Sequence, residues 1–274
     1  MRFFNVFSIV IFKEKIRFAI SYLQYLIRAK TAHGIHSPFV FDFIQNVLKR
    51  KHNTNLFEKI EKQRSTLLSN HNYIQINDLG AGSRIFKSNK RVISSVAQTA
   101  LKPKKYAILL HNIIAHYQPK TALELGTSFG ITSLYQALAN KNMQYYTFEG
   151  CAETLAIAES NFKIWENNQI HTVLGNFDKT LPEFLIKQSS IDYAFIDGNH
   201  DFEPTKHYFN LLKNKANNNS IFIFDDIHWS RAMERAWHDI IADEQVTCSI
   251  DLFHVGLVFF NPAFGQKSHF TIRY

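Results

Sequence analysis

A chain of 274 residues, 46% hydrophobic and 14% aromatic, is long enough to bury a full core and too apolar to be disordered. Its 31 basic and 23 acidic residues give a formal charge of +8, which suits anionic partners but, because the basic residues are scattered, suits a solvated lysine-rich surface as well. Two cysteines, Cys151 and Cys248, exclude a disulfide framework and fit a reducing compartment, so a cytoplasmic protein is expected.

The first thirty residues, "MRFFNVFSIVIFKEKIRFAISYLQYLIRAK", contain an apolar run from Phe3 to Phe12 that Asn5 and Ser8 interrupt. The run is too short to span a bilayer and lacks a small-residue cleavage pattern after it. From Ile16 to Ile27, apolar residues recur every three or four positions with Lys and Arg between them, which predicts an amphipathic helix. Such a helix packs on its own domain or lies on a membrane surface, so peripheral membrane contact through residues 1–30 stays open. In "HGIHSPFVFDFIQNVLKR", Ser37 reads as an N-cap and Pro38 as the first position of a second helix reaching Leu48. Residues 1–70 are therefore expected to form a helical appendage or lid, and 71–274 a second unit.

Two glycine-bearing loops compete for a nucleotide-like ligand. "INDLGAGSRI", residues 76–85, has charge throughout what would be the first helical turn and no following strand that ends in an acid. Gly80-Ala81-Gly82 is therefore expected in a surface loop or lid. "TALELG" instead reads as a short buried strand, and "SFGITSLYQALAN" continues as a helix with an apolar face. The next strand, "MQYYTFEG", ends in Glu149, 25 residues after Glu124. A carboxylate at that tip can accept hydrogen bonds from both hydroxyls of a ribose; on the residue alone, an ordinary exposed acid at a strand end is an equal reading.

The alternation continues to the end of the chain. "CAETLAIAESNFKIWEN" is helical, "QIHTVLGNF" strand-like, "LPEFLIK" a short helix, "IDYAFIDGNH" a strand, "PTKHYFNLLKNKA" a helix, "SIFIFDDIHW" a strand with two terminal acids, and "SRAMERAWHDIIAD" a helix capped by Ser230. This pattern predicts an α/β fold, a doubly wound, mostly parallel Rossmann-like sheet with helices on both faces. "EQVTCSIDLF" and "HVGLVFF" are too close for a helical crossover and should form a C-terminal antiparallel hairpin.

"ELGTSFGITS", "TFEG", "IDYAFIDGNH" and "IFIFDDIHW", in that order, resemble the class I S-adenosylmethionine-dependent methyltransferases, and within them the metal-dependent O-methyltransferases of the catechol and caffeoyl-CoA type. The resemblance covers about Tyr106 to Phe260. It implies a cofactor site in which Gly126, Thr127 and Ser128 line the methionine part and Glu124 approaches its amino group. Glu149 would hold the ribose, and Asn176 or Phe177 would lie by the adenine. It implies a divalent cation, magnesium by analogy, on Asp197, Asp225 and Asp226. Oxygen ligands of this kind suit a hard cation; in the alternative, Asp225 caps the following turn and Asp226 faces solvent. Where the family commonly has a lysine three residues after the first metal acid, this chain has His200, whose ordinary pKa of about 6.5 lets it accept a proton. His200 is thus the candidate base, beside Asp197, unless it is packed in a surface turn; His228 is a second candidate. The implied partner is a small-molecule acceptor. A nucleic-acid methyltransferase is the alternative, but an Asn-Pro-Pro-aromatic segment is missing where "DGNH" stands. A non-catalytic S-adenosylmethionine-binding protein is a third reading.

Overall fold

A computed structural model describes residues 2–51, 54–76, 89–165 and 169–274, with side chains from residue 14 onward. Gly80-Ala81-Gly82 lies outside the described residues, between two short antiparallel strands, β1 (Tyr73–Gln75) and β2 (Lys90–Val92).

The eight-stranded sheet is built from β3 (Thr121–Leu125), β4 (Gln144–Glu149), β5 (Ile170–Leu174), β6 (Tyr193–Ile196), β7 (Ile221–Asp225), β8 (Cys248–Asp251), β9 (Val255–Phe259) and β10 (Ser268–Thr271). Its order is β10-β8-β9-β7-β6-β3-β4-β5, and β9 alone runs against the rest. Helices cross between the parallel strands: α6 (Ile131–Ala137), α7 (Ala152–Lys163), α8 (Phe177–Ile186), α9 (Phe202–Lys213) and α10 (Arg231–Ala242). The chain leaves β3 for β4 and β5 on one side, then returns to β6 and β7 on the other. The carboxyl ends of β3 and β6 therefore form the switch point at which doubly wound sheets open a crevice.

Burial on both faces explains why the central strands read as unbroken apolar runs. Along β7, Ile221 and Ile223 join a cluster with Ile113, Tyr145 and Tyr193, while Phe222 and Phe224 join the opposite one with Phe209, Trp237 and Ile240. The doubly wound sheet and the antiparallel β8–β9 pair follow the sequence reading. The parallel addition of β10 to β8 does not, because four residues of mixed exposure carry no strand signal. The caps expected at Ser37 and Ser230 form, accepting from the backbone N–H of Val40 at 3.4 Å and of Met233 at 3.2 Å. Helix α8 begins at Phe177 rather than near Leu181, because Asn176 caps it through the Asp178 N–H at 2.8 Å.

The amino-terminal helices are α1 (Arg2–Arg28), α2 (Pro38–Phe43), which runs on into a π-helical turn over Ile44–Leu48, and α3 (Thr54–Leu68). Phe43 and Val47 pack in the cluster that holds Tyr193 and Ile223. Toward its carboxyl end α1 is anchored by side chains. Arg17 donates to the Trp229 carbonyl at 2.6 Å and pairs with Glu234 at 3.0 Å, and Tyr25 donates to the Ile272 carbonyl at 2.6 Å. Phe18 meets Phe253 edge-on at 5.1 Å. Among the described residues, no helix is long and apolar enough to cross a membrane.

One acid inside this core has a consequence for stability. Glu124 is fully buried, and its carboxylate accepts from Ser133, from Gln136 at 2.8 Å and from Thr147 at 2.7 Å. Burial still outweighs these donors and pushes its pKa up to about 7. A carboxyl whose folded pKa is raised stabilises the fold fully below its unfolded value, and that stability is lost as pH rises through the folded one. Glu124→Gln should therefore flatten the pH dependence of stability between about 4.5 and 7, a window worth on the order of 3 kcal/mol. Urea unfolding at pH 5 and pH 8 measures it; an unchanged pH slope in the variant would contradict the assignment.

Candidate active site

The turn after β3 is shaped by close backbone contact. Gly126 has φ +107°, and a Cβ there would stand 2.5 Å from the Asp197 carbonyl oxygen, so only glycine lets the ends of β3 and β6 meet. The N–H groups of Gly126 and Thr127 both donate to the Phe148 carbonyl at 3.0 Å, which ties the turn to β4. Ser128, also at positive φ, donates its N–H to Glu149 at 2.9 Å, and the Cys151 N–H reaches the other carboxylate oxygen at 3.0 Å. Two backbone donors on separate carboxylate oxygens fix the orientation of Glu149.

Two adjoining cavities of ≈ 240 Å³ each open at this crevice and share Gly126, Ser128 and Glu149 as walls. The first continues over Cys151, Asn176, Phe177 and Tyr208, with Arg91 and Val96 among its walls. The second continues over Thr127, Asp197, His200, Asp225, Asp226 and Lys102.

Charge is concentrated in the second cavity. Lys102 Nζ lies against Asp225 Oδ2 and 3.4 Å from each carboxylate oxygen of Asp197. His200 Nε2 is 3.4 Å from Asp197 Oδ1. Burial works against the Lys102 ammonium, but Asp197, Asp225 and Asp226 more than reverse that and hold its pKa above the ordinary range. Burial and the Asp225 charge push Asp197 well up, and the same two causes bring Asp226 to about 7. Asp225 is also penalised by burial, yet the Lys102 charge beside it brings it below its usual value. Burial, with help from Lys102, depresses His200, so its imidazole is neutral and able to take a proton near pH 7.

Most of the residues singled out in the sequence meet here: Gly126, Thr127, Ser128, Glu149, Asn176, Phe177, Asp197, His200, Asp225 and Asp226 all line one cavity or the other. Glu124 is set apart from both, its carboxylate enclosed by Ser133, Gln136 and Thr147, because the strand's alternation turns it into the core. His228 is held outside by Asp251 at 2.8 Å and stacks on Phe253. The metal-type cluster among the described residues is Asp197, His200 and Asp225, with ligand atoms within 4.8 Å of one another, rather than the three aspartates. Asp226, with φ +52° and its N–H donating to the His254 carbonyl, sits on the turn beyond. Lys102, Arg91 and Tyr208 had no signal in the sequence. Lys102 is 95 and 123 residues from the acids it meets, and only the fold brings them together.

Residues 123–227 match a family model described as a methyltransferase domain. Among curated proteins, the chain is 30% identical over 135 residues to the uncharacterized protein R132 of Acanthamoeba polyphaga mimivirus, covering 46% of this chain and 61% of that protein. The chain thus spans less than two thirds of the length of that relative. Similar solved structures include the Podospora anserina methyltransferase PaMTH1 bound to S-adenosylhomocysteine, at 14% identity and TM-score 0.57, over 83% of this chain and 97% of that one. An O-methyltransferase from Bacillus cereus, also with S-adenosylhomocysteine, aligns at 16% identity and TM-score 0.53 over 80% and 96% of the two chains. TomG from Streptomyces achromogenes, an O-methyltransferase of tomaymycin synthesis in complex with S-adenosylmethionine, aligns at 16% identity and TM-score 0.51 over 59% and 82%. At these identities the structural likeness carries the fold.

Proposed function

We propose that this chain, whose residues 123–227 match a methyltransferase domain, is a class I, S-adenosylmethionine-dependent O-methyltransferase acting on a hydroxyl of a small molecule. One observation carries the reading: Glu149, oriented by the N–H groups of Ser128 and Cys151, stands where the first cavity joins a second one lined by a neutral histidine and buried acids. The first cavity fits the cofactor. Glu149 would hold the ribose, Phe177 and Asn176 would flank the adenine, and the backbone from Gly126 to Ser128, free of a Cβ at its tightest point, would receive the methionine part. S-adenosylmethionine, when bound, supplies a methyl group on a sulfonium sulfur that is already a strong electrophile.

The protein's own contribution is then alignment and proton removal. His200 stands in the acceptor cavity as the base that takes the hydroxyl proton, and the charge of Asp225, which favours the protonated ring, would stabilise the imidazolium that results. Arg17 and Phe18 of α1 pack on Trp229, three residues after Asp226, and on Phe253, next to the His254 whose carbonyl accepts from the Asp226 N–H, so residues 1–70 would cover the acceptor side and select what enters it.

A divalent cation was the expectation for Asp197, Asp225 and Asp226. The donor spacing of Asp197, His200 and Asp225 would suit one, but the Lys102 ammonium already lies against both carboxylates. As it stands, the set does not fit a second positive charge, and no step is assigned to one. The test is release of S-adenosylhomocysteine against a panel of phenols, catechols and sugar alcohols. His200→Ala should lower turnover of an accepted substrate by about 10²–10⁴ while cofactor affinity is retained. Full turnover in that variant would remove His200 from the mechanism, and no turnover of any hydroxyl compound by the wild type would count against O-methylation.

A further inference from the structure

We infer that Lys102 is the resident cation of the acceptor cavity, standing between Asp197 and Asp225 in place of a divalent ion and making the protein independent of one. The inference rests on the reading of this crevice as a methyl-transfer site, and it deepens that reading.

Three observations support it. The first is position: Nζ is within 3.4 Å of both carboxylates, and those carboxylates, with His200, form the metal-type cluster among the described residues. A cation entering that cluster would have to displace the ammonium or sit beside it, and two positive charges at such spacing repel by several kcal/mol at an effective dielectric of about 20. The second is preorganisation. Lys102 precedes Pro103, which disfavours helical backbone at the lysine, and Pro103 opens α5 (Lys104–Tyr117). Its ammonium lies over the Phe195 ring at 5.9 Å, and the side chain is only 12% exposed, so the charge is fixed rather than swinging in solvent. The third is what remains unpaired. Asp225 Oδ2 is held by Lys102, whereas Asp225 Oδ1 is buried with no hydrogen-bond partner among the described residues, so Lys102 is the partner that this acid depends on.

A lone lysine near acids is commonly a structural ion pair. Here the pair lines a cavity next to the cofactor groove, and its acids are those the strand ends deliver to the reacting region. A tethered ammonium can do part of what a bound metal does, since it neutralises the acids and presents a positive charge to an oxygen that is losing its proton. It cannot offer several open coordination positions.

The experiment is Mn²⁺ titration followed by electron paramagnetic resonance, on the full chain, with wild type, Lys102→Met and Asp225→Asn, and with cofactor affinity measured on each by calorimetry. The wild type should show no saturable Mn²⁺ site. Lys102→Met should acquire one, at least about tenfold tighter than any residual wild-type binding, in the range that a few carboxylate and imidazole ligands give. Adding Asp225→Asn to Lys102→Met should remove it. Stoichiometric Mn²⁺ binding by the wild type that Asp225→Asn abolishes would overturn the inference. So would a Lys102→Met protein that binds S-adenosylmethionine normally yet takes up no Mn²⁺. Lys102→Gln replaces Lys102→Met if the latter does not fold. Mn²⁺ uptake is read without methyl transfer, so failure of the cation inference and failure of the methyltransferase reading are separate results.

Discussion

Glu149→Ala should abolish measurable binding of S-adenosylmethionine. In the proposed cofactor site the carboxylate would accept from two ribose hydroxyls, and hydrogen bonds to a charged acceptor are each worth about 1.5–3 kcal/mol. Losing the pair gives about 3 kcal/mol or more, a loss of roughly 100-fold or greater in affinity. The same deletion leaves the N–H groups of Ser128 and Cys151 without the oxygens that hold them at 2.9 and 3.0 Å, so the turn from Gly126 to Ser128 loosens as well. Glu149→Gln, which keeps one acceptor oxygen and the side-chain volume, should fall between wild type and alanine. Calorimetric titration of the three proteins decides the matter. An alanine variant whose affinity stays within about threefold of wild type would show that the ribose is held elsewhere, because the loss of even one such bond exceeds that change.

Asp225→Ala should destabilise the fold severely while sparing cofactor affinity. Asp225 is buried and lies against the Lys102 ammonium, leaving Lys102 with Asp197 at 3.4 Å once it is removed. Removing one partner of a buried pair costs about 3–5 kcal/mol where the remaining charge is stranded, and because Asp197 still faces Lys102 the lower end, about 3 kcal/mol, is expected here. For a chain of 274 residues that corresponds to a fall in Tm of about 5 °C. Removing both charges, in Lys102→Met with Asp225→Ala, should recover much of the loss, since the buried charge goes with its partner. Asp225 lines only the second cavity of the two, so S-adenosylmethionine should still bind to a folded variant. Thermal unfolding of the two single variants and the double variant closes the cycle. An unchanged Tm in Asp225→Ala would mean the pair carries no coupling and that Lys102 is not held there.

The parts of the site that local chemistry dictates were legible in the sequence, and the parts that depend on long-range approach were not. Gly126 and Glu149 could be read because a buried strand, a glycine turn and an acid at the next strand tip form a local pattern, and both line the first cavity. Asp197 and Asp225 could be read because they end apolar runs that must be central strands, and the parallel register sets β6 beside both β3 and β7. Glu124 shows the limit of that logic. It lies on β3 two residues before Gly126, but the two-residue period turns its carboxylate into the helix-covered face, where Ser133 and Gln136 enclose it. Lys102 shows the opposite limit. A lysine in "LKPKK" has no periodicity and no motif, and its role exists only because the loop between α4 (Ile93–Ala100) and α5 folds over the ends of β6 and β7. The same reason explains why His200 rather than Asp226 completes the cluster with Asp197 and Asp225: the positive φ at Asp226 places it on the turn that follows the strand.

The most direct test of the account is isothermal titration of the purified wild-type protein with S-adenosylmethionine, once with magnesium and once with chelator. The account predicts micromolar binding under both conditions, because the cofactor groove is built from Gly126, Ser128, Glu149, Asn176 and Phe177, apart from the Lys102–Asp225 pair. Absence of binding under both conditions would contradict it, since a class I methyltransferase fold whose crevice does not take the cofactor is not working as a methyltransferase.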